Sequence, residues 1–259
     1  MWPLVTNRFD PDFTSKVLKN KSGWSVYAKE FALYALLYGF DGYNFDFENI
    51  HYADRAALTA FVKYLSEELH RYGLYTSIDV TGYSDSGNWS KVYDRKELGK
   101  AVDYVVLMAY DETWASSTSA GPVASYPWVE KHADLLANEV KADKIVLGIP
   151  YYTRIWSVST NADGSAVKGG AKGRTLSIRD ARAYLADYAD KVVWNDDLRL
   201  YYLEFADGLR MSKRIWFEEE RSLSYKLYLA KERGFAGFAA WRKGFEDDAA
   251  REVIPRVYH

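Results

Sequence analysis

Residues 40–50 read Phe-Asp-Gly-Tyr-Asn-Phe-Asp-Phe-Glu-Asn-Ile, and within them Asn44, Asp46 and Glu48 alternate with Tyr43, Phe45 and Phe47. A period of two belongs to a β-strand, whose successive side chains point to opposite faces, here one polar and one aromatic. Aromatic side chains of this kind suit packing under helices, which turns the polar face into a barrel or cleft. Alternate residues stand roughly 6.7 Å apart along a strand, so Asp46 can polarise or hydrogen-bond a group held by Glu48. The stretch reads as carboxylate chemistry at a strand end. Spacing alone leaves one alternative open, an acidic strand end facing water.

Strand-like and helix-like patterns alternate around this segment. Trp2–Thr6 reads as a buried strand, followed by a loop through Asp10-Pro11-Asp12. Apolar positions 24, 27, 31, 34, 35 and 38 form a helical stripe that stops at Gly39. Leu58, Phe61, Val62, Leu65 and Leu69 mark a second helix ending at Gly73, and Leu74–Val80 the next strand. Residues 81–95, rich in Gly, Ser, Asp and Asn with Trp89 and Tyr93 among them, read as a long loop that could wall a substrate site. Val102–Met108 is a buried strand, a loop covers Thr113–Tyr126, positions 129, 133, 136 and 140 mark a helix, and Ile145–Pro150 a further strand. Between about 155 and 218 the alternation gives way to a Gly/Ser/Lys-rich stretch, a helix near Ser177–Tyr188 and strand-like runs at 191–194, 198–205 and 213–217. That is too much for a connection, and it reads as an α+β insertion. A helix near 219–233 and a last strand at Phe235–Trp241 restore the alternation. Strands alternating with helices predict an α/β fold with a parallel sheet closed as a (β/α) barrel, its active residues at the carboxyl ends of the strands.

At 259 residues the chain is long enough for one barrel domain. A net charge of −2 without a basic stripe argues against nucleic acid, and no apolar run approaches the ~18 residues of a membrane span. Residues 1–7 lack the charged and hydrophobic regions of a signal peptide. With no cysteine there can be no disulfide or zinc–thiolate site. Histidines 51, 70, 132 and 259 show no metal-ligand spacing and read as surface or helix-face residues, so neither metal nor cofactor is expected. Aromatics form 17% of the chain, which favours a carbohydrate partner because flat rings stack on sugar faces.

Asp41-Gly42-Tyr43-Asn44-Phe45-Asp46-Phe47-Glu48 resembles the D-G-x-D-x-D-x-E signature of family 18 glycoside hydrolases, the chitinases and their relatives. Asn44 replaces one Asp, and Phe-Glu-Asn replaces the Trp-Glu-Tyr common in chitinases, a variant that resembles the bacterial spore-cortex and peptidoglycan N-acetylglucosaminidases. Leu107–Asp111 resembles the family's M-x-Y-D, Gly148–Arg154 its G-I-P-x-Y-G-R with Thr153 in place of Gly, and Phe238–Trp241 its eighth strand. The resemblance implies a (β/α)8 barrel. By these motifs the six strands near 2–6, 43–48, 74–80, 102–109, 145–150 and 235–241 are its third to eighth, the first two are lacking, and 155–218 is an insertion in a single domain spanning 1–259.

The resemblance also implies roles. Glu48 is the general acid, Asp46 orients and stabilises the substrate's 2-acetamido group as it attacks in place of a protein nucleophile, and Tyr110 hydrogen-bonds the acetamido carbonyl. Asn44 is expected to donate to the Asp46 carboxylate, Asp111 to contact the sugar, Tyr152 and Arg154 to line the same mouth, and Trp241 to present its indole face. The expected partner is an N-acetylglucosamine-containing glycan, the setting extracytoplasmic, at a cell wall or spore. Two other readings remain: a non-catalytic sugar-binding relative, against which Glu48 argues, and a phosphate-binding barrel aldolase or isomerase, for which Arg242-Lys243-Gly244 is the available anion site.

Overall fold

The computed structural model describes residues 1–258, and His259, one of the four histidines, lies outside them. The chain divides into two compact units, the first comprising 1–108, 133–147 and 234–237, the second 109–132, 148–233 and 238–259.

The first unit is built on parallel strands. Strands β1 (Leu4–Thr6), β2 (Gly42–Asp46), β3 (Tyr75–Thr81) and β4 (Tyr104–Met108) pair in that order. The sheet continues through β5 (Ile145–Pro150) to β11 (Gly237–Trp241), making six strands with β1 and β11 as its edges. Helices α1 (Pro11–Lys19), α2 (Trp24–Tyr38), α3 (Arg55–His70) and α4 (Arg95–Ala101) connect the first four strands. The aromatic face of β2 packs as its alternation requires. Phe31 of α2 lies 4.9 Å from Tyr43 and 6.3 Å from Phe45 by ring centroids, and Phe61 of α3 lies 6.2 Å from Phe47. Burying each such side chain contributes about 1.5–3 kcal/mol. Gly42 is required where β2 meets β3, since a Cβ there would stand 2.3 Å from the Tyr75 carbonyl oxygen.

Three sequence readings need correction here. Asp10-Pro11-Asp12 opens α1 instead of lying in a loop: the Asp10 carboxylate accepts from the Phe13 N–H at 2.9 Å, and Pro11 takes the first helical position, where its missing N–H costs nothing. Trp2–Thr6 contains a strand, but with one paired neighbour it is an edge, and Leu4 is exposed. Helix α4, capped by Asp94, fills residues between the loop and the strand for which no element was expected. Helix α2 is apolar nearly all round, and Leu33, Leu36, Leu37 and Tyr38 are exposed on it.

The second unit contains the insertion as a five-stranded antiparallel sheet ordered β7-β6-β10-β9-β8, with β6 at Tyr152–Thr160, β7 at Ala166–Ser177, β8 at Val193–Asn195, β9 at Leu200–Ala206 and β10 at Met211–Phe217. Helix α6 (Ile178–Asp187) packs on one face over Ile155, Leu176, Leu203, Ile215 and Phe217. The alternate residues Trp156 and Val158 turn to the other face, where Trp216 packs. The Gly/Ser/Lys-rich stretch was not expected to be a strand, yet β7 pairs with β6 from Tyr152↔Ser177 to Val158↔Ala171. Its Gly173 accommodates the Trp156 ring, which a Cβ would approach to 2.9 Å. Pairing along a whole neighbouring strand outweighs the low β-propensity of glycine and lysine. Helices α5 (Tyr126–Ala137), α7 (Glu220–Glu232) and α8 (Asp248–Tyr258) complete the chain.

Candidate active site

Glu48 stands two residues beyond β2, and its position is set through its backbone. The Asn7 side chain donates to the Glu48 carbonyl oxygen at 2.8 Å and accepts from the Glu48 N–H at 3.1 Å. Asn7 is itself buried and donates to the Thr14 hydroxyl at 2.8 Å, which in turn donates to the Asp10 carbonyl at 2.6 Å. The first turn of α1 thus holds Asn7, and Asn7 holds Glu48. Next to it the buried Tyr93 hydroxyl donates to the Phe47 carbonyl at 2.8 Å. Asn49 takes a left-handed conformation and donates to the Phe9 carbonyl at 3.0 Å. Nothing in the local sequence marks Asn7, because the contact that gives it a role is long-range. Asn7→Ala is expected to lower the unfolding free energy by about 1–3 kcal/mol and kcat by about tenfold or more, because it releases the backbone that aims Glu48. Wild-type kcat in that variant would show that Glu48 is placed by other contacts.

Behind Glu48 stand two further carboxyls, the half-buried Asp46 and the buried Asp79. The Asp46 side chain is hydrogen-bonded with Glu48; burial raises the Asp46 pKa, and the Glu48 hydrogen bond opposes that rise. Asn44 does not donate to Asp46 as expected. Its Nδ2 donates to Oδ2 of Asp79 at 2.9 Å, and its Oδ1 accepts from the Ser77 hydroxyl at 2.6 Å. The register explains this, since Asn44 pairs with Ser77 and Phe45 with Ile78, which brings β3 side chains beside the polar face of β2. Asp79 is 7% exposed. Burial holds its carboxyl well above the usual range, the Asp46 charge adds to this, and the Asn44 hydrogen bond opposes it. Sequence reading missed Asp79, although an acid inside the run Leu74–Val80 is a signal, because acids are rarely buried without a partner.

The loop 81–95 is tied down by Arg95, whose guanidinium donates to the Thr81 carbonyl at 2.8 Å and the Ser90 carbonyl at 3.2 Å and lies 4.0 Å from the Tyr83 ring centroid. Trp89, partly exposed, meets exposed Phe9 at 6.0 Å.

In the second unit Tyr110 and Asp111 follow β4. Asp111 adopts a φ of 60° and accepts from Arg154 Nη2 at 2.5 Å and from the Tyr152 hydroxyl. Arg154 also donates to the Thr175 hydroxyl at 2.6 Å and the Thr113 carbonyl at 3.1 Å. Both Tyr152 and Arg154 are 5% exposed, whereas the Asp111 side chain is 46% exposed. The two residues expected to line a mouth are therefore buried supports of Asp111. Burial, then the Asp111 charge, pushes the Tyr152 hydroxyl far above its ordinary pKa, so it stays a donor. The Tyr110 ring meets Tyr152 edge-on at 6.1 Å. Trp241 ends β11 with its side chain partly exposed, unlike a core tryptophan. His132, on α5, is buried against Trp128 at 4.3 Å.

A parallel α/β sheet with acids at and just beyond strand carboxyl ends is the arrangement of a barrel-type glycosidase. Residues 9–246 match the glycosyl hydrolases family 18 model, and the chain belongs to that family. This membership sets aside the aldolase or isomerase reading. The chain is 27% identical to an uncharacterized glycosylase, YvbX, of Bacillus subtilis, over 98% of this chain and 73% of that protein. It is 28% identical to the cortical fragment-lytic enzyme of the same organism, over 80% of this chain but 47% of that enzyme, so it spans about half the enzyme's length. A crystal structure of a chitinase from Chromobacterium violaceum superposes with a TM-score of 0.87 at 26% identity, covering 99% of this chain and 79% of that one. No helix among the described residues is long and apolar enough to cross a membrane.

Proposed function

We propose that the protein hydrolyses β-1,4 bonds of N-acetylglucosamine-containing glycans by a retaining, substrate-assisted mechanism, with peptidoglycan of the spore cortex or cell wall favoured over chitin. The observation that carries this reading is the hydrogen-bonded Glu48–Asp46 pair beyond β2, its backbone clamped by Asn7. Glu48 gives its proton to the glycosidic oxygen as the C1–O bond breaks. The substrate's own acetamido oxygen bonds to C1 from the opposite face, and Asp46 stabilises the positive oxazolinium ion by accepting from its N–H. Glu48, now a carboxylate, takes a proton from water, and the oxygen of that water opens the ring at C1. The proton lost in the first step is recovered in the second, and two inversions give net retention. Tyr110 hydrogen-bonds the acetamido carbonyl, Asp111 a sugar hydroxyl, and Trp241 stacks on the sugar, while Tyr152 and Arg154 hold Asp111 in place. The cortical fragment-lytic relative and the Phe-Glu-Asn variant of the motif favour peptidoglycan and a spore or cell-wall setting.

Isolated peptidoglycan and chitin oligomers digested side by side, with mass analysis, should give more product from peptidoglycan. Rapid NMR of fresh digests should show the β-anomer first, and cellulose oligomers, which lack the acetamido group, should be cleaved poorly. An α-anomer first, or comparable rates on cellulose, would rule out the acetamido as nucleophile.

A further inference from the structure

The family signature carries an Asp where this chain has Asn44, and the structure shows a carboxyl on the neighbouring strand bonded to that asparagine. Asp46 and Asp79 each follow one residue after the paired Phe45 and Ile78, so they project from adjacent strands onto one face. Each has a buried oxygen, Oδ1, without a protein hydrogen-bond partner. The Ser77 hydroxyl satisfies the Asn44 carbonyl, which leaves the Asn44 amide to point at Oδ2 of Asp79. A carboxyl whose Oδ2 accepts from an amide has its other oxygen available to carry a proton. The charged and titratable groups that act on Asp79 or are acted on by it are Asp46, Glu48 and the Tyr93 hydroxyl.

We propose that Asp79 is a positioning residue for the reaction: held by Asn44, it keeps the single proton of the Asp46–Asp79 pair, leaving Asp46 as the anion that meets the acetamido group. Two carboxyls within interaction range, Asp46 half-buried and Asp79 buried, resist joint ionisation, so the last proton of the pair is held to a higher pH than an isolated Asp would hold it. Asp46 is the member to lose it, because Asp46 shares a hydrogen bond with Glu48 while Asp79 is more deeply buried. The carboxyl that Asn44 removes from β2 has in effect moved one strand across, and a further carboxylate beside Asp46 and Asp79 would disrupt the site. The inference rests on the proposed reaction only for what the pair does, not for where the proton sits.

Two measurements separate those parts. Carbon NMR of protein labelled at the Asp side-chain carboxyl should show one Asp still neutral at pH 6, where an ordinary Asp of pKa ~3.9 is ionised, and that signal should vanish in Asp79→Asn. This readout does not depend on activity. If no Asp is neutral at pH 6, or the neutral signal survives in Asp79→Asn, the proposal is overturned even if the enzyme is a retaining glycosidase. In the kinetic arm, Asn44→Asp should cost about tenfold or more in kcat at neutral pH and recover toward acid, as the added carboxyl is neutralised. Adding Asp79→Asn to it should restore about tenfold, the coupling expected of residues in direct contact. A double variant no faster than the slower single variant would overturn the exchange of carboxyls. Inactivity of the wild type on every acetamido sugar would defeat the proposed function while leaving the NMR result to decide the proton's place.

Discussion

Glu48→Gln should abolish nearly all hydrolysis of unactivated glycan while leaving oligosaccharide binding intact. The amide keeps the size and planarity of the carboxyl and can still donate to Asp46, and the backbone of residue 48 is held from both ends of the Asn7 side chain. The structure around it should therefore survive. What is lost is the proton, and a general acid supplies about 10²–10⁴-fold. The loss should fall on kcat rather than KM, since the proton is transferred only in the transition state. An aryl glycoside whose phenol departs without protonation should retain far more of its rate, which distinguishes a missing acid from a collapsed site. Asp46→Asn, by contrast, should slow both substrates, because both would pass through the proposed oxazolinium intermediate. The wild-type acid limb, where Asp46 takes up a proton and activity falls, should lie above the ordinary ~3.9 of an Asp, since burial raises that group. Undiminished turnover of natural glycan by Glu48→Gln would remove Glu48 from the role of acid.

The parts of this arrangement that follow from local spacing were legible in the sequence. Period-two alternation at 43–48 gave the strand, its two faces and the acids on one of them, and the observed rings of Phe31 and Phe61 lie against the aromatic face. What depends on which strand lies beside which was not legible. Asn44 was expected to serve Asp46, two residues away in the chain, and instead serves Asp79, thirty-five residues away, because parallel pairing brings Ser77 and Asp79 beside it. Asn7 is a similar case, tied to Glu48 across 41 residues. Strand β7 was missed for the opposite reason: its glycines and lysines carry little β signal, and the partner that fixes them is β6. Helix α1 is different, since Asp10-Pro11 is an N-terminal helix signal present in the sequence, in a stretch whose composition also suits a loop.

Lys226→Met is expected to cost the fold about 3–5 kcal/mol at neutral pH, the cost of leaving one member of a buried ion pair alone, against a total of about 5–15 kcal/mol for a typical domain. The Lys226 ammonium contacts the two Glu218 oxygens at 2.5 and 2.7 Å, and both side chains are 1% exposed. Ser222 donates to the same carboxylate at 2.9 Å. Lys226 also acts on two further acids: burial raises Glu112 and Glu219, and the Lys226 charge opposes the rise in each. One ammonium thus serves three carboxyls that link the end of β10, helix α7 and the segment after β4. Glu218 is raised by burial even with Lys226 present, and removing the ammonium raises it further. A carboxyl whose folded pKa exceeds its unfolded ~4.3 binds a proton more tightly when folded, so its contribution to stability is present below the unfolded value and is lost as pH rises toward the folded one. The deficit in Lys226→Met should therefore be smallest near pH 4 and grow toward pH 8. Urea unfolding followed by tryptophan fluorescence at both pH values would measure it. Adding Glu218→Gln should recover part of the loss at pH 8 and little at pH 4, because a neutral amide needs no counter-charge. A deficit below about 1 kcal/mol at neutral pH, at the level of an exposed pair, would show that the Glu218 charge is compensated by groups other than Lys226.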